Sequence, residues 1–245
     1  MLQLSESANL FISTETDTGY QHTAGLVILD AGESRDFCFE KLAAFVAERI
    51  SPIPQFRWKL REVPFGLDLP YWVEDDKYSI ERHIHRIAVP APGDMRALTE
   101  LAAYLYSRRL DRSKPLWELW FIEGLAGKRY ALLQKLHHCM MDGQGAQRIG
   151  EALCDFEADP PPRPIPPEFL GATTGGAPSE LQLYARTVGN LLQAPARAGR
   201  HALSMLRPAI ASLGQPEKPR SGARPAAAPA LPCNGVIGKE RGFAC

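Results

Sequence analysis

His137-His138-Cys139-Met140-Met141-Asp142-Gly143 is the stretch on which the reading of this chain turns. Two adjacent histidines with Asp-Gly at this offset should arise by chance in about one in a thousand chains of such length. The run before it, Tyr130 to Leu136, is apolar and strand-like, and the run after it, Gln144 to Phe156, is helix-like. The motif therefore falls where a strand gives way to a helix, a place that suits a catalytic group. An imidazole is the usual general base near neutral pH. Successive residues of a strand point to opposite faces, so only one of the two histidines can line a given cleft. His138 is the expected base, with His137 beside it. Asp142 can orient a ring or pair with an arginine. Gly143 permits backbone angles and close approaches that a Cβ forbids. Three other readings stay open on the residues alone: a metal site of two His and one Asp, a nucleophilic Cys139, and a pair of structural histidines in a turn.

Outward from the motif, the periodicity predicts a compact α/β unit over residues 1–156. Trp117 to Leu125, a turn at Ala126-Gly127-Lys128, and Arg129 to Leu136 read as a β-hairpin that delivers the histidines. Glu118 reads as an acid paired with a base across the sheet, or as a contact to substrate. His22 to Leu29 reads as a strand. Ser34 to Ile50 reads as a helix capped by Ser34, because Phe39, Leu42, Val46 and Ile50 follow helical spacing. Phe56, Trp58 and Leu60 alternate with cations, which predicts a half-exposed strand. His83 to Val89 predicts another, with His83 and His85 on one face. Asp94 is placed to cap a helix that buries Leu98, Leu101, Ala102 and Leu105.

Composition shifts at Asp159. Pro160 to Pro167 carries six prolines and cannot be a helix or a central strand, so residues 157–179 read as a Pro-rich linker. Residues 180–213 are helix-permissive, with four arginines (Arg186, Arg197, Arg200, Arg207) and no interior acid. Leu181, Tyr184, Val188, Leu191 and Leu192 recur at helical spacing, and Pro195 should break the segment in two. Such a stretch suits an anionic lipid surface or packing against another part of the fold. Residues 214–245 read as a flexible linker and the start of a second half.

The 28 Lys and Arg balance 28 Asp and Glu, which argues against general nucleic-acid binding. Five scattered cysteines read as reduced thiols in a cytosolic protein. The first ten residues lack the basic and apolar regions of a signal peptide. No apolar run reaches the length of a membrane span, so membrane contact is expected to be peripheral.

With the motif set beside Leu110-Asp-Arg-Ser-Lys-Pro-Leu-Trp-Glu118, Leu69-Pro-Tyr-Trp-Val-Glu-Asp75, His83-Ile-His-Arg-Ile-Ala-Val-Pro90 and the stretch Leu231 to Ala244, the chain resembles the wax ester synthase/diacylglycerol acyltransferase family. That family sits among the CoA-dependent acyltransferases and peptide-synthetase condensation domains. The resemblance implies a chloramphenicol-acetyltransferase-like half followed by a helical, Pro-rich extension. It implies that His138 deprotonates a long-chain alcohol or diacylglycerol, which attacks acyl-CoA. Acyl-CoA is then a substrate, and no cofactor or metal is implied. Members have two similar halves with a tunnel between them, and this chain stops at Cys245, where the second half should begin. The resemblance therefore implies a truncated chain that is weak or inactive alone, lacking its second half and tending to self-associate, in the cytoplasm or peripheral to the inner membrane or lipid inclusions. The alternative is a non-catalytic lipid-surface or binding protein derived from such a half.

Overall fold

The computed structural model describes residues 2–32, 34, 36–140, 153–155, 157, 179, 181–190 and 192. Asp142, Gly143, the Pro-rich segment, the break at Pro195 and residues 214–245 lie outside the described residues. Two compact units share the described chain: residues 2–62 with 69–157, and residues 63–68 with 179–192.

The first unit is a mixed α/β structure built around the hairpin. Strands β6 (Trp117–Leu125) and β7 (Arg129–His137) pair antiparallel, with Glu118 opposite Lys135. Their turn places Gly127 at φ 78°, a region that favours glycine. β7 also pairs antiparallel with β2 (His22–Asp30), setting His22 opposite His137. β5 (Ile84–Ala88) joins β6 in parallel. That pairing requires a crossover, which α3 (Met95–Tyr106) supplies. The sheet order is β2-β7-β6-β5.

The sheet is apolar on both faces because helices cover both. On one face α2 (Phe39–Ile50) buries Leu42, Val46 and Ile50 against Trp117, Leu119 and Phe121 of β6. On the other, α3 buries Leu98, Ala102 and Leu105 against Ile122, Ala131 and Leu133. Asp94 caps α3 by accepting from the Ala97 N–H at 2.8 Å. Just before that cap, Gly93 passes the hairpin so closely that a Cβ would lie 2.1 Å from the Gly124 carbonyl oxygen. A second sheet, β1-β4-β3, is formed by Leu2–Gln3, Tyr71–Glu74 and Trp58–Arg61. Trp58 and Trp72 pack there with Ile12 of α1 (Glu6–Thr14), Leu116 and Cys139.

Three local expectations are corrected. Ser34 does not cap α2: its N–H donates to Ala31 O at 2.9 Å, and the helix starts after Cys38. Phe37 lies outside the helix, its ring packed on Phe121 and Tyr130. Phe56 sits in a 3-10 turn, Pro54–Arg57, and the strand begins only at Trp58. His83 precedes β5, so it and His85 do not alternate on one strand. The His83 ring stacks on Trp117 and the His85 ring lies on Trp120, at 4.5 and 4.4 Å, and those tryptophans belong to opposite faces of the sheet.

In the second unit residues 181–190 are helical. Leu183 and Thr187 are its buried residues, whereas Leu181, Tyr184 and Val188 are exposed, as is Leu192. The apolar periodicity thus marks an outward stripe. Among the described residues no helix is long and apolar enough to cross a membrane.

Candidate functional site

β7 ends at His137 and a 3-10 turn, His138–Met140, follows at once. Backbone bonds pin the junction from both sides: His137 N–H donates to Leu116 O at 3.0 Å and His138 N–H to Gln21 O at 2.9 Å. The two rings part company here. His137 is buried at 1% exposure, while His138 is exposed. The His138 ring stacks on Phe11 of α1, with centroids 5.0 Å apart.

His137 is tied down on the protein side. Its Nδ1 accepts the Cys139 N–H at 3.1 Å. A neutral imidazole carries one ring proton, so that proton sits on Nε2. Burial, opposed by the Glu15 charge, keeps the ring below its usual pKa and therefore neutral. Nε2 faces Glu15 Oε1 at 3.7 Å, so the N–H dipole points at the carboxylate from a distance too long for a hydrogen bond. Glu15, only 2% exposed, accepts from Arg112 Nη2 at 2.6 Å and Arg109 Nη2 at 3.1 Å. Burial pushes its carboxyl up, but the two guanidinium bonds outweigh that and hold it below the ordinary value. Arg112 Nη2 also reaches Ile12 O at 3.1 Å. Opposite His137 on β2, His22 Nε2 lies 2.8 Å from Tyr106 O, and burial lowers its pKa to about 4.

Cys139 is buried and its thiol is pushed up to about 12 by that burial. A thiol so held stays protonated, and the thiolate is the reactive form, so its burial disfavours the nucleophile reading. Met140 borders a cavity of about 170 Å3 lined by Leu2, Gln55, Trp58 and Trp72. The Gln55 Oε1 is buried and has no hydrogen-bond partner among the described residues. Among the described residues no group of three or more His, Cys, Asp or Glu is placed to hold a metal ion.

Glu118 takes the first of the two roles expected of it. It lies 3.6 Å from Lys135 Nζ across the sheet and 3.7 Å from Lys114 Nζ. Lys135, fully buried, donates to Leu105 O at 3.1 Å and to Arg108 O at the C-terminal end of α3.

The structure thus brings His137 and His138 to one strand end, and Asp142 and Gly143 lie outside the described residues. Sequence reading missed Glu15, Arg109 and Phe11, and gave Arg112 no role. A signal for α1 existed: Ser5 precedes Glu6 and caps the helix by accepting from the Ala8 N–H at 3.2 Å. Ala8 and Ile12, one turn apart, face the cluster of Trp58, Trp72 and Leu116. Among the described residues, Glu15 is a carboxylate that binds arginines beside the His137 ring.

The family model for the wax ester synthase/diacylglycerol acyltransferase catalytic domain matches residues 4–245. A putative diacylglycerol O-acyltransferase of Mycobacterium tuberculosis is 31% identical over 247 residues, covering 100% of this chain and 48% of that protein. The chain thus spans about half the length of that relative, yet 90% of the probable diacylglycerol O-acyltransferase tgs3 of the same species, to which it is 32% identical over 252 residues and 98% of its own length. Among solved structures, the wax ester synthase/diacylglycerol acyltransferase of Marinobacter aquaeolei is 31% identical with a TM-score of 0.53, over 60% of this chain and 37% of that one. The starter condensation domain of rhizomide synthetase, 16% identical with a TM-score of 0.50 over 62% of this chain and 34% of that one, shares the fold alone. The match over nearly the whole chain, with the paired histidines at the strand end, shows that the chain belongs to the wax ester synthase/diacylglycerol acyltransferase family.

Proposed function

We propose that this chain contributes the general base of an O-acyltransferase, and that His138 is that base. The observation that carries the reading is the parting of the two rings: His137 is buried and held, while His138 stands exposed on a pinned backbone. His138 takes the proton of a long-chain alcohol or diacylglycerol hydroxyl. The oxygen attacks the thioester carbonyl of acyl-CoA, and the tetrahedral oxyanion collapses to an oxoester. The CoA thiolate leaves and takes the proton back from His138 as the thiol. No cofactor enters this sequence of steps. Asp142 and Gly143 are assigned the shaping of the turn.

A second half, or a second copy of this chain, completes the enclosure that excludes water and aligns the reactants. The exposed stripe Leu181, Tyr184, Val188 and Leu192, with the arginines of residues 180–213, supports peripheral binding to anionic lipid at the inner membrane or at lipid inclusions. That stripe also favours the second reading, a non-catalytic lipid-surface protein.

The test is release of CoA thiol from a long-chain acyl-CoA, with hexadecanol or diacylglycerol as acceptor, run with and without the second half of a longer relative. Acceptor-dependent thiol release that disappears in His138→Ala supports the enzyme. Binding to anionic vesicles with no thiol release in either arrangement supports the second reading instead.

A further inference from the structure

We infer that Glu15 is a positioning residue, which orients the His137 ring and through it the turn that presents His138. The inference rests on the reading of His138 as the base. A carboxylate with a side chain only 2% exposed is costly unless its charge is met. Two segments distant in the sequence meet it: Arg109 and Arg112, 94 and 97 residues away, and His137 at the end of β7. Both guanidinium groups bond Oε2, while Oε1 faces the ring.

The ring is fixed between two groups. The Cys139 N–H occupies Nδ1, and the carboxylate faces the proton that must then sit on Nε2. The other tautomer would set an N–H against the Cys139 N–H and a lone pair against the carboxylate, and a flipped ring would set C–H groups at both contacts. Nε2 has no hydrogen-bond partner among the described residues, so Glu15 is the group that holds this edge. Cys139 belongs to the turn that starts at His138, so ring and turn move together. Residues 11–15 then touch both histidines, since Phe11 stacks on His138 and Glu15 faces His137. Arg112 ties the same segment through Ile12 O. Among the described residues, the charged and titratable groups around His137 are Glu15, Arg112, His22, His138 and Cys139.

The test uses the full chain labelled with 15N, read through its histidine ring signals. In the wild type, His137 is the neutral tautomer with a slowly exchanging proton on Nε2, and the His138 ring protons are shifted by the Phe11 ring. In Glu15→Gln, with folding checked by circular dichroism, the His137 ring proton exchanges faster and the His138 shift moves toward its free value. Acyl transfer, measured with the second half supplied, falls about tenfold to a hundredfold. Glu15→Asp, which keeps the charge on a shorter arm, restores part of both. Should Glu15→Gln not fold, Arg112→Lys loosens the same carboxylate and is read in the same way. Wild-type ring signals in the folded variant overturn the inference. So does a loss of those signals with an undiminished rate. If the wild type transfers no acyl group, the reading of His138 falls, while the ring signals still decide whether Glu15 orients the turn.

Discussion

Lys135 and His137 stand two residues apart on the α3 face of β7, and both are buried. They meet burial in opposite ways. Lys135 finds two carbonyls at the end of α3 and, across the sheet, the carboxylate of Glu118. Burial lowers its pKa and Glu118 opposes that shift. A cation at a helix C-terminus also meets the negative end of the helix dipole, so this cluster is closed and ties α3 to the sheet. His137 has one nitrogen engaged, the other facing a carboxylate at 3.7 Å, and two arginines that still reach solvent. That cluster is adjustable, and it borders the exposed His138. The difference separates a joint that holds the fold from one that aims a side chain.

The largest expected effect falls on the residue that belongs to neither cluster. His138→Ala should lower acyl transfer by about a hundredfold to ten-thousandfold and leave the melting temperature unchanged, because the ring is exposed. Near-normal thiol release by this variant in a competent assembly breaks the assignment. Lys135→Met should do the reverse. It leaves two carbonyls without their donor and Glu118 without its partner across the sheet, and should cost about 3 kcal/mol of stability, read by denaturant unfolding. A folded Lys135→Met protein of native stability would make the closed cluster ornamental.

His137→Ala should lie between the two, with about 2 kcal/mol of lost stability and a rate loss smaller than that of His138→Ala. Acidification tests the buried rings together. His22 and His83 sit at about 4, each mainly through burial, and His137 is lowered by the same cause. The unfolded chain therefore binds more protons than the folded one between pH 6.5 and 4, so stability is full above 6.5 and falls across that window. Below 4.5, protonation of Glu15, whose folded value is also depressed, removes more. Melting temperatures at pH 7, 5.5 and 4.5 check the slope, and a flat profile would mean that these rings protonate freely in the folded state. The smallest effect is a control outside both clusters. Asp94→Ala should cost about 1 kcal/mol through the lost cap of α3, with catalysis intact.

Much of the frame was legible because it is local. The hairpin appears with its turn where the alternation put it, and α3 begins at the residue expected to cap it. The failures are also physical. α2 starts after Cys38 because Phe37 is used by the sheet, a contact that helical spacing does not report. The stripe at Leu181 and Tyr184 followed helical spacing, but spacing cannot say whether an apolar face looks inward, and here it is exposed.

The sequence by itself determined the strand-and-turn setting of the paired histidines, the two amphipathic helices that cover the sheet and the family motif, since periodicity, capping and turn chemistry act over a few residues. Only the tertiary structure decided which histidine is buried, that Lys135 faces Glu118 beneath the end of α3, and that Glu15 meets Arg112 and His137. Glu15 and Arg112 lie 97 positions apart, and Glu15 and His137 lie farther apart still. Such pairings exist because a charge removed from water must find a partner wherever the folded chain places one.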